Sequence, residues 1–259
     1  MKNEKWRLIW TDKVADCYYN MGLDKAILNA VSLKKVPNTI RLYRWQPSAV
    51  SIGYFQSMNR VVNIPKCHEL GINYIRRITG GGAVYHDFEG ELTYSINCLD
   101  SNRKIPRKIE KIYEKICGAI IQGLHTLGVE AQFAPINDII LKGNKKKISG
   151  SALTHKNGVL LQHGTILRNV NVEKMFSVLV VPDEKIKDKL IFSVKERVSS
   201  LEEELGYLPS FKEIKEALII GFISSFEVNL EHENITKEED KEAQKIAEEF
   251  KDEKWLFKR

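Results

Sequence analysis

The residues best suited to chemistry fall into three short runs. The first, Arg76 to Asp87, reads RRITGGGAVYHD. Its successive glycines, Gly80, Gly81 and Gly82, let the backbone take conformations closed to other residues and pass close against a ligand. Bare amides there can hold an anion or a carboxylate. Arg76 and Arg77 at the entrance bring forked donors for phosphate or carboxylate, and Ala83, Tyr85 and His86 follow. The run is not a dinucleotide fingerprint, because Tyr85 stands where the third glycine belongs. Nor is it a Walker loop, because no Gly-Lys-Ser/Thr follows. Taken alone, it also fits a plain loop between two strands.

The second run is Asn137-Asp138 and, nine residues on, Lys147-Ile148-Ser149-Gly150-Ser151-Ala152. If Gly143-Asn144 is a two-residue turn, Ser149 faces Asp138 and Lys147 faces Ile140. Lys147, Ser149 and Asp138 then share a face. An ammonium and a carboxylate a diagonal step apart suit a nucleotide, with Lys147 on phosphate and Asp138 acting through magnesium. The competing reading is a solvated edge strand, Lys145 to Lys147 blunting aggregation. The third run is Gln162-His163-Gly164-Thr165. Pairing back from Asn157-Gly158 sets Gly164 opposite Ser151, on the Lys147 face. His163 then points the other way unless a bulge intervenes; a lone histidine on an apolar strand also suits a hydrogen-bonded core position.

These runs need elements to hold them. A helix is expected over 14–31, strands over 39–45 and 49–54 around a Gln46-Pro47-Ser48 turn, and a short strand over 72–77 entering the glycines. Leu92 to Cys98 alternates apolar and polar, as a half-buried strand does. Ile109, Ile112, Ile116, Ile120, Leu124 and Leu127 step by three and four, the signature of an amphipathic helix ended by Gly128. Residues 138–165 read as an antiparallel meander with turns at Gly143-Asn144 and Asn157-Gly158. Two later helices start at capping boxes, Ser210 with Glu213 and Thr236 with Glu239. Strand clusters separated by helices make an α/β, α+β-like domain with a mixed sheet and flanking helices. It is expected as one catalytic domain over 1–259, with the charged stretch 231–254 as a terminal helix.

The 259 residues are 43% hydrophobic and 29% charged, which is ordinary globular composition. Forty Lys plus Arg against 34 Asp plus Glu leave a net charge of +6, suited to an acidic partner or a phosphate-bearing ligand. Basic runs lack the aromatic interleaving of a nucleic-acid platform, so no nucleic acid is expected. Cysteines at 17, 67, 98 and 117 form no C-x-x-C pair. Residues 1–12 make no signal peptide and no apolar run reaches membrane-span length. A reduced, cytoplasmic setting without membrane contact is the expectation.

Together, RRITGGGAVYHD, the Asn137-Asp138 pair, KISGSA at 147–152, LQHGTIL at 161–167 and SVKERVSSL at 193–201 resemble lipoate–protein ligases and their octanoyltransferase relatives. The similarity runs from about Trp10 to Trp255. It implies the catalytic-domain fold shared by biotin and lipoate–protein ligases. It also implies that Lys147 touches both the acyl carboxylate and the α-phosphate. Gly80 to Gly82, with Ala83, Tyr85 and His86, would line the acyl tunnel, and Arg76 would approach the carboxylate. Asn137, Asp138, Ser149, Gly150, Ser151, Ala152, His163, Gly164 and Thr165 would complete the site. Asp138 would hold the adenylate or its magnesium.

On that resemblance the expected activity is an ATP-dependent lipoate–protein ligase. With ATP and Mg2+ it would make lipoyl-adenylate from lipoate. It would pass the lipoyl group to a lysine of the lipoyl domains of 2-oxoacid dehydrogenase complexes or of the glycine cleavage H protein. The sequence stops where full-length ligases continue, so a separate small accessory subunit is expected as a partner. The main alternative is an octanoyl- or lipoyl-transferase working through a cysteine thioester. Cysteine-using relatives carry that residue within segments matching 129–135 or 181–183, neither of which contains cysteine here; the missing nucleophile favours the ligase. A further alternative is a non-catalytic lipoyl-binding protein. Glu91, where many relatives have asparagine, is a departure with no assigned consequence.

Overall fold

A computed structural model describes residues 4–10, 14–181 and 187–259, the side chain of Lys187 excepted. Parts of the amino-terminal segment and of the 181–183 segment considered above lie outside the described residues. In chain order the elements are β1 (Glu4–Trp10), α1 (Cys17–Ser32), β2 (Thr39–Tyr43), β3 (Ala49–Ile52), α2 (Met58–Val61), α3 (Ile64–Glu69), β4 (Asn73–Arg76), β5 (Val84–His86) and β6 (Glu91–Leu99). Then come α4 (Ile109–Thr126), β7 (Ala131–Ala134), β8 (Asp138–Leu141), β9 (Lys147–Lys156) and β10 (Val159–Leu167). They are followed by α5 (Val172–Val178), α6 (Lys187–Lys195), α7 (Leu201–Leu205), α8 (Phe211–Phe226), β11 (Val228–His232), α9 (Lys237–Lys251) and α10 (Glu253–Leu256).

Eight strands form one mixed sheet in the order β11-β1-β2-β6-β10-β9-β8-β7, and three form a small sheet, β4-β3-β5. β1 runs parallel to both neighbours; from β2 onward every neighbour is antiparallel. The mixed α/β architecture agrees with the sequence reading. The strands flanking Gln46-Pro47-Ser48 do not pair: β2 joins the large sheet and β3 the small one.

Helices cover both faces of the large sheet. Ile112, Ile116 and Ile120 of α4 and Leu218 and Phe222 of α8 pack on Tyr94, Ile96 and Leu160. Met21, Ile27 and Leu28 of α1 and Ile246 and Phe250 of α9 pack on Tyr43, Val159 and Leu161. Burying one such aliphatic side chain contributes about 1.5–3 kcal/mol. This double cover corrects the half-buried reading of β6, whose first eight residues are all buried. Ser95 and Thr93 on its α1 side have partners, Ser95 with Asp24 at 2.9 Å and Thr93 with Glu91 at 3.0 Å, whereas the side chain of buried Asn97 has none among the described residues.

Local chemistry sets the element ends. Asp16 caps α1 by accepting from Tyr19 N, so the helix starts at Cys17 and not at Val14. Both expected capping boxes form, at Ser210/Glu213 and Thr236/Glu239. Asn157 and Gly158 make a two-residue hairpin with positive φ at both positions, 53° and 73°. No described helix is long and apolar enough to cross a membrane.

Candidate active site

The β8–β9 connection decides where Lys147 points. β8 ends at Leu141 and β9 starts at Lys147, so the connection is longer than the two-residue turn expected at Gly143-Asn144. Asp138 pairs with Gly150, Ile139 with Ser149 and Ile140 with Lys147, with a register shift between Ile139 and Ile140. This bulge puts Ile148 and Ser149 on the α4 side and Lys147 and Gly150 on the other. Asp138 therefore faces Gly150, and Ser149 is buried away from Lys147. The same parity reverses the expectation for β10. Gly164 does pair with Ser151, but it lies on the α4 side, while His163 stands on the Lys147 face opposite Ala152.

On that face a cavity of about 320 Å³ is enclosed by the glycine loop, β5, β6, β9, β10, α5 and α6, within the size range of small-molecule sites. Lys147 sits at it with 38% of its side chain exposed, its Nζ 2.8 Å from Asp138 Oδ1. Such a half-exposed pair is worth about 0–1 kcal/mol, so redirecting Lys147 to a substrate costs little. Gly150 makes room for it: a Cβ there would lie 2.7 Å from Lys147 Nζ and 3.3 Å from Asp138 Oδ1. Asp138 reaches the site through Lys147 and is not part of the wall. Among the described residues no three His, Cys, Asp or Glu gather as a metal site.

The glycine loop is clamped rather than mobile. Arg77 is buried and donates to Gly80 O at 2.7 Å, Gly82 O at 2.8 Å and Ser51 O at 3.2 Å. Burial lowers its pKa to about 10, which leaves it cationic at neutral pH. Gly81 has φ +96° and lies directly on Gly53, where a Cβ would come within 2.0 Å of Gly81 O. Arg76, expected at the carboxylate, turns away from the cavity. Its guanidinium donates to Tyr54 O (2.9 Å), Gln56 O (2.6 Å), Trp255 O (3.0 Å) and Leu256 O (2.8 Å). Adjacent strand residues face opposite ways, so only one arginine of the pair can reach the cavity, and it is Arg77.

Gly81, Gly82, Ala83, Tyr85 and His86 line the cavity, whereas Gly80 stands behind, held by Arg77. Asn137, Ser151, Ala152, His163, Gly164 and Thr165 line it from the large sheet. Sequence reasoning missed Ser51, Trp45, Thr93, Met175 and Val194, which also contribute. A serine in an apolar strand carries no signal of its own. Glu91 was visible only as a departure; it lines the cavity and binds His86 Nδ1 at 2.6 Å.

Two buried relays cross the cavity floor. Ser51 Oγ lies 2.8 Å from His86 Nε2, and Trp45 stacks on the His86 ring at 3.9 Å. In the second, His163 Nε2 is 2.8 Å from Thr79 Oγ1 and its Nδ1 is 3.5 Å from Asp24 Oδ2. Burial lowers the His163 pKa, outweighing the attraction of Asp24, so its imidazole is neutral at pH 7. Burial pushes the Asp24 carboxyl up, but the His163 hydrogen bond and the Arg41 charge outweigh it and hold it below the usual value.

All four cysteines are buried. Cys117 on α4 contacts Ser151 Oγ at 4.0 Å from the α4 side, across the sheet from the cavity. Burial raises its thiol to about 12.

The lipoyl protein ligase A/B catalytic domain model matches residues 16–223. The chain belongs to that family. Within the lipoyl ligase A/B family, the chain is 34% identical to the octanoyltransferase LipM of Brevibacillus brevis, covering 91% of this chain and 92% of that protein. It is 30% identical to the octanoyltransferase LipM of Bacillus subtilis, with both covered fully. Among solved structures, a bipartite lipoate protein ligase from Thermoplasma acidophilum superposes with TM-score 0.87 at 29% identity, covering 98% of this chain and 96% of that one. Lipoate-protein ligase A bound with ATP gives 0.80 at 26% identity, covering 99% of each. These structures carry the fold expectation. The expected ATP-dependent ligase activity is overturned: curated relatives at 29–34% identity over nearly the whole chain are octanoyltransferases. The preference for ligase over transferase rests on a missing cysteine, and those relatives outweigh that inference. ATP and magnesium lose their warrant with it.

Proposed function

We propose that this protein is an acyltransferase that moves an octanoyl group, or its lipoyl counterpart, from a carrier-protein thioester to a lysine of a lipoyl-domain protein, without ATP. The observation that carries this reading is the full-length similarity to octanoyltransferases. The geometry suits the chemistry. A cavity of about 320 Å³ takes the acyl chain, and Lys147 stands at it with a partner it can leave cheaply. Attack on a thioester puts negative charge on the carbonyl oxygen, and a fixed ammonium stabilises that charge in both the forming and collapsing intermediate. A thioester is already activated, so the accessory subunit expected for adenylate formation has no step to serve. The net +6 charge favours acidic carrier proteins as donor and acceptor.

The test is the intact mass of an apo lipoyl domain after incubation with this protein and octanoyl-carrier protein, ATP omitted. An octanoyl mass gain is expected. Gain only with free octanoate and magnesium ATP would refute the reading, and no gain in either tube would leave a binding protein. In the same assay Lys147→Ala is expected to lose on the order of 10²-fold or more in rate. Its thermal stability should be nearly unchanged, because the Asp138 pair is half exposed.

A further inference from the structure

Acyl transfer by a covalent route needs a nucleophile that the acyl group can reach, and no thiol in this chain qualifies. None of Cys17, Cys67, Cys98 and Cys117 lines the cavity, and Cys117 lies across the sheet from it. Ser151 is committed to Asn137 O at 3.0 Å and has no base beside it. Ser51 is different. It lines the cavity, its Oγ is 2.8 Å from His86 Nε2, and His86 Nδ1 is 2.6 Å from Glu91 Oε1. His86 and Glu91 line the same cavity.

The hydrogen-bond directions follow from the partners. Trp45 Nε1 can only donate and does so to Thr93 Oγ1 at 2.6 Å; Thr93 in turn donates to Glu91 Oε1 at 3.0 Å. Glu91 thus accepts from Thr93 and from His86 Nδ1–H, so that in the neutral imidazole Nε2 is the acceptor. Arg77 Nη1, a donor only, gives to Ser51 Oγ at 3.2 Å, so the Ser51 proton is directed at His86 Nε2. Hydroxyl, imidazole and carboxylate are then in the protonation pattern of a hydrolase triad. The Arg77 cation lies against Ser51 Oγ, where it favours loss of the hydroxyl proton to His86. Trp45 stacked on the ring fixes its plane.

We propose that Ser51 is the acyl-accepting nucleophile of this protein, with His86 as its general base and acid and Glu91 as the residue that positions His86. The proposal rests on the transferase reading above. In the first half-reaction Ser51 Oγ attacks the donor thioester carbonyl and its proton passes to His86 Nε2. The Oγ–C bond forms, the C–S bond breaks, and the leaving thiolate takes the proton from His86. In the second, the acceptor lysine amine attacks the ester and gives a proton to His86. The C–N bond forms, the C–Oγ bond breaks, and Ser51 recovers its proton. With Ser51 at 1% exposure, the ester is shielded from bulk water, which favours transfer over hydrolysis.

The experiment incubates the full chain with octanoyl-carrier protein and no acceptor, then reads intact mass and maps the adduct. One octanoyl group on the Ser51 peptide is expected, stable to neutral hydroxylamine that would strip a thioester. Ser51→Ala should lose the adduct and on the order of 10²-fold or more of transfer while melting as the wild type does. Ser51→Cys should regain an adduct, now hydroxylamine-labile, and Cys117→Ala should behave as wild type. Undiminished transfer by Ser51→Ala, an adduct on any cysteine, or wild-type turnover with no adduct would overturn the proposal. A wild type that transfers nothing from the carrier would instead defeat the transferase reading beneath it.

Discussion

The position of one methyl group tests the site at the scale of a residue. Gly150 is the point on β9 where Lys147 folds over its own strand toward Asp138, and a Cβ there would meet Lys147 Nζ and Cε at 2.7 and 2.8 Å. Both atoms belong to the far end of a flexible side chain, so the clash is relieved by moving the lysine, not the backbone. Gly150→Ala should therefore fold with a melting temperature near or slightly above wild type, since alanine also loses less chain entropy on entering a strand. Its acyl-transfer rate should fall about tenfold or more, because a Lys147 held an ångström away stabilises the developing charge less well. A loss of stability with no loss of rate would show that Lys147 is not held in the geometry that matters. That glycine belonged to a motif readable in the sequence, and the family resemblance implied that the glycine loop, the Lys147 run and the His163 strand meet at one site. Which arginine of the adjacent pair turns inward was not readable, because neighbouring strand residues alternate and the phase is set by packing. Ser51 was invisible for a related reason: its value comes from His86, 35 positions away, not from any spacing around it.

At the scale of elements, one bulge and one buried cation carry most of what the chain pattern left open. The bulge between Ile139 and Ile140 reverses the side-chain parity of β9, and with it the face on which His163 meets Lys147. Strict alternation predicts the opposite face, and an extra residue in one strand leaves no compositional trace. The double helical cover of β6 was hidden in the same way, since buried serine and threonine imitate a solvated face. Arg76 shows how far a single side chain reaches. It ties the end of β4 to the loop after β3 and to the α10 turn through carbonyls of Tyr54, Gln56, Trp255 and Leu256, while Trp255 Nε1 returns a bond to Arg76 O at 2.8 Å. Removing that guanidinium takes the donor from four carbonyls, that of Leu256 buried and the others part-buried, each lost charged bond costing about 1.5–3 kcal/mol. Arg76→Ala should lower stability by several kcal/mol and expose the residues after Lys251 to protease before the rest of the chain. Arg76→Lys should not restore it, because one ammonium cannot span carbonyls held by a planar fork. Wild-type protease resistance in Arg76→Ala would refute this role.

At the scale of the whole molecule, the His163 relay joins parts that no single motif connects. Asp24 comes from α1, Arg41 from β2, Ser95 from β6, His163 from β10 and Thr79 from the glycine loop, and Arg77 Nε reaches Thr79 Oγ1 at 3.0 Å. The large sheet, its α1 layer and the loop against the small sheet thus share one hydrogen-bonded core, and its titration becomes a property of global stability. The folded His163 pKa lies below its ordinary 6.5. As pH falls below 6.5 the unfolded chain takes up a proton that the folded chain refuses, so stability drops from that point toward the folded pKa. Asp24, whose folded pKa lies below 3.8, adds stability that is present above 3.8 and lost only at stronger acidity, as pH falls through the folded value. Urea unfolding midpoints should therefore be flat near pH 7.5, decline as pH falls below 6.5, and fall again in stronger acid, below 3.8. His163→Gln, which keeps a polar group beside Thr79 but cannot be protonated, should be less stable at pH 7.5 and show a shallower decline to pH 5. A decline of equal slope in wild type and variant would assign the acid sensitivity to groups outside this relay. A shallower one would mean that the histidine on the acyl cavity floor is also the group through which acid loosens the join between the two sheets.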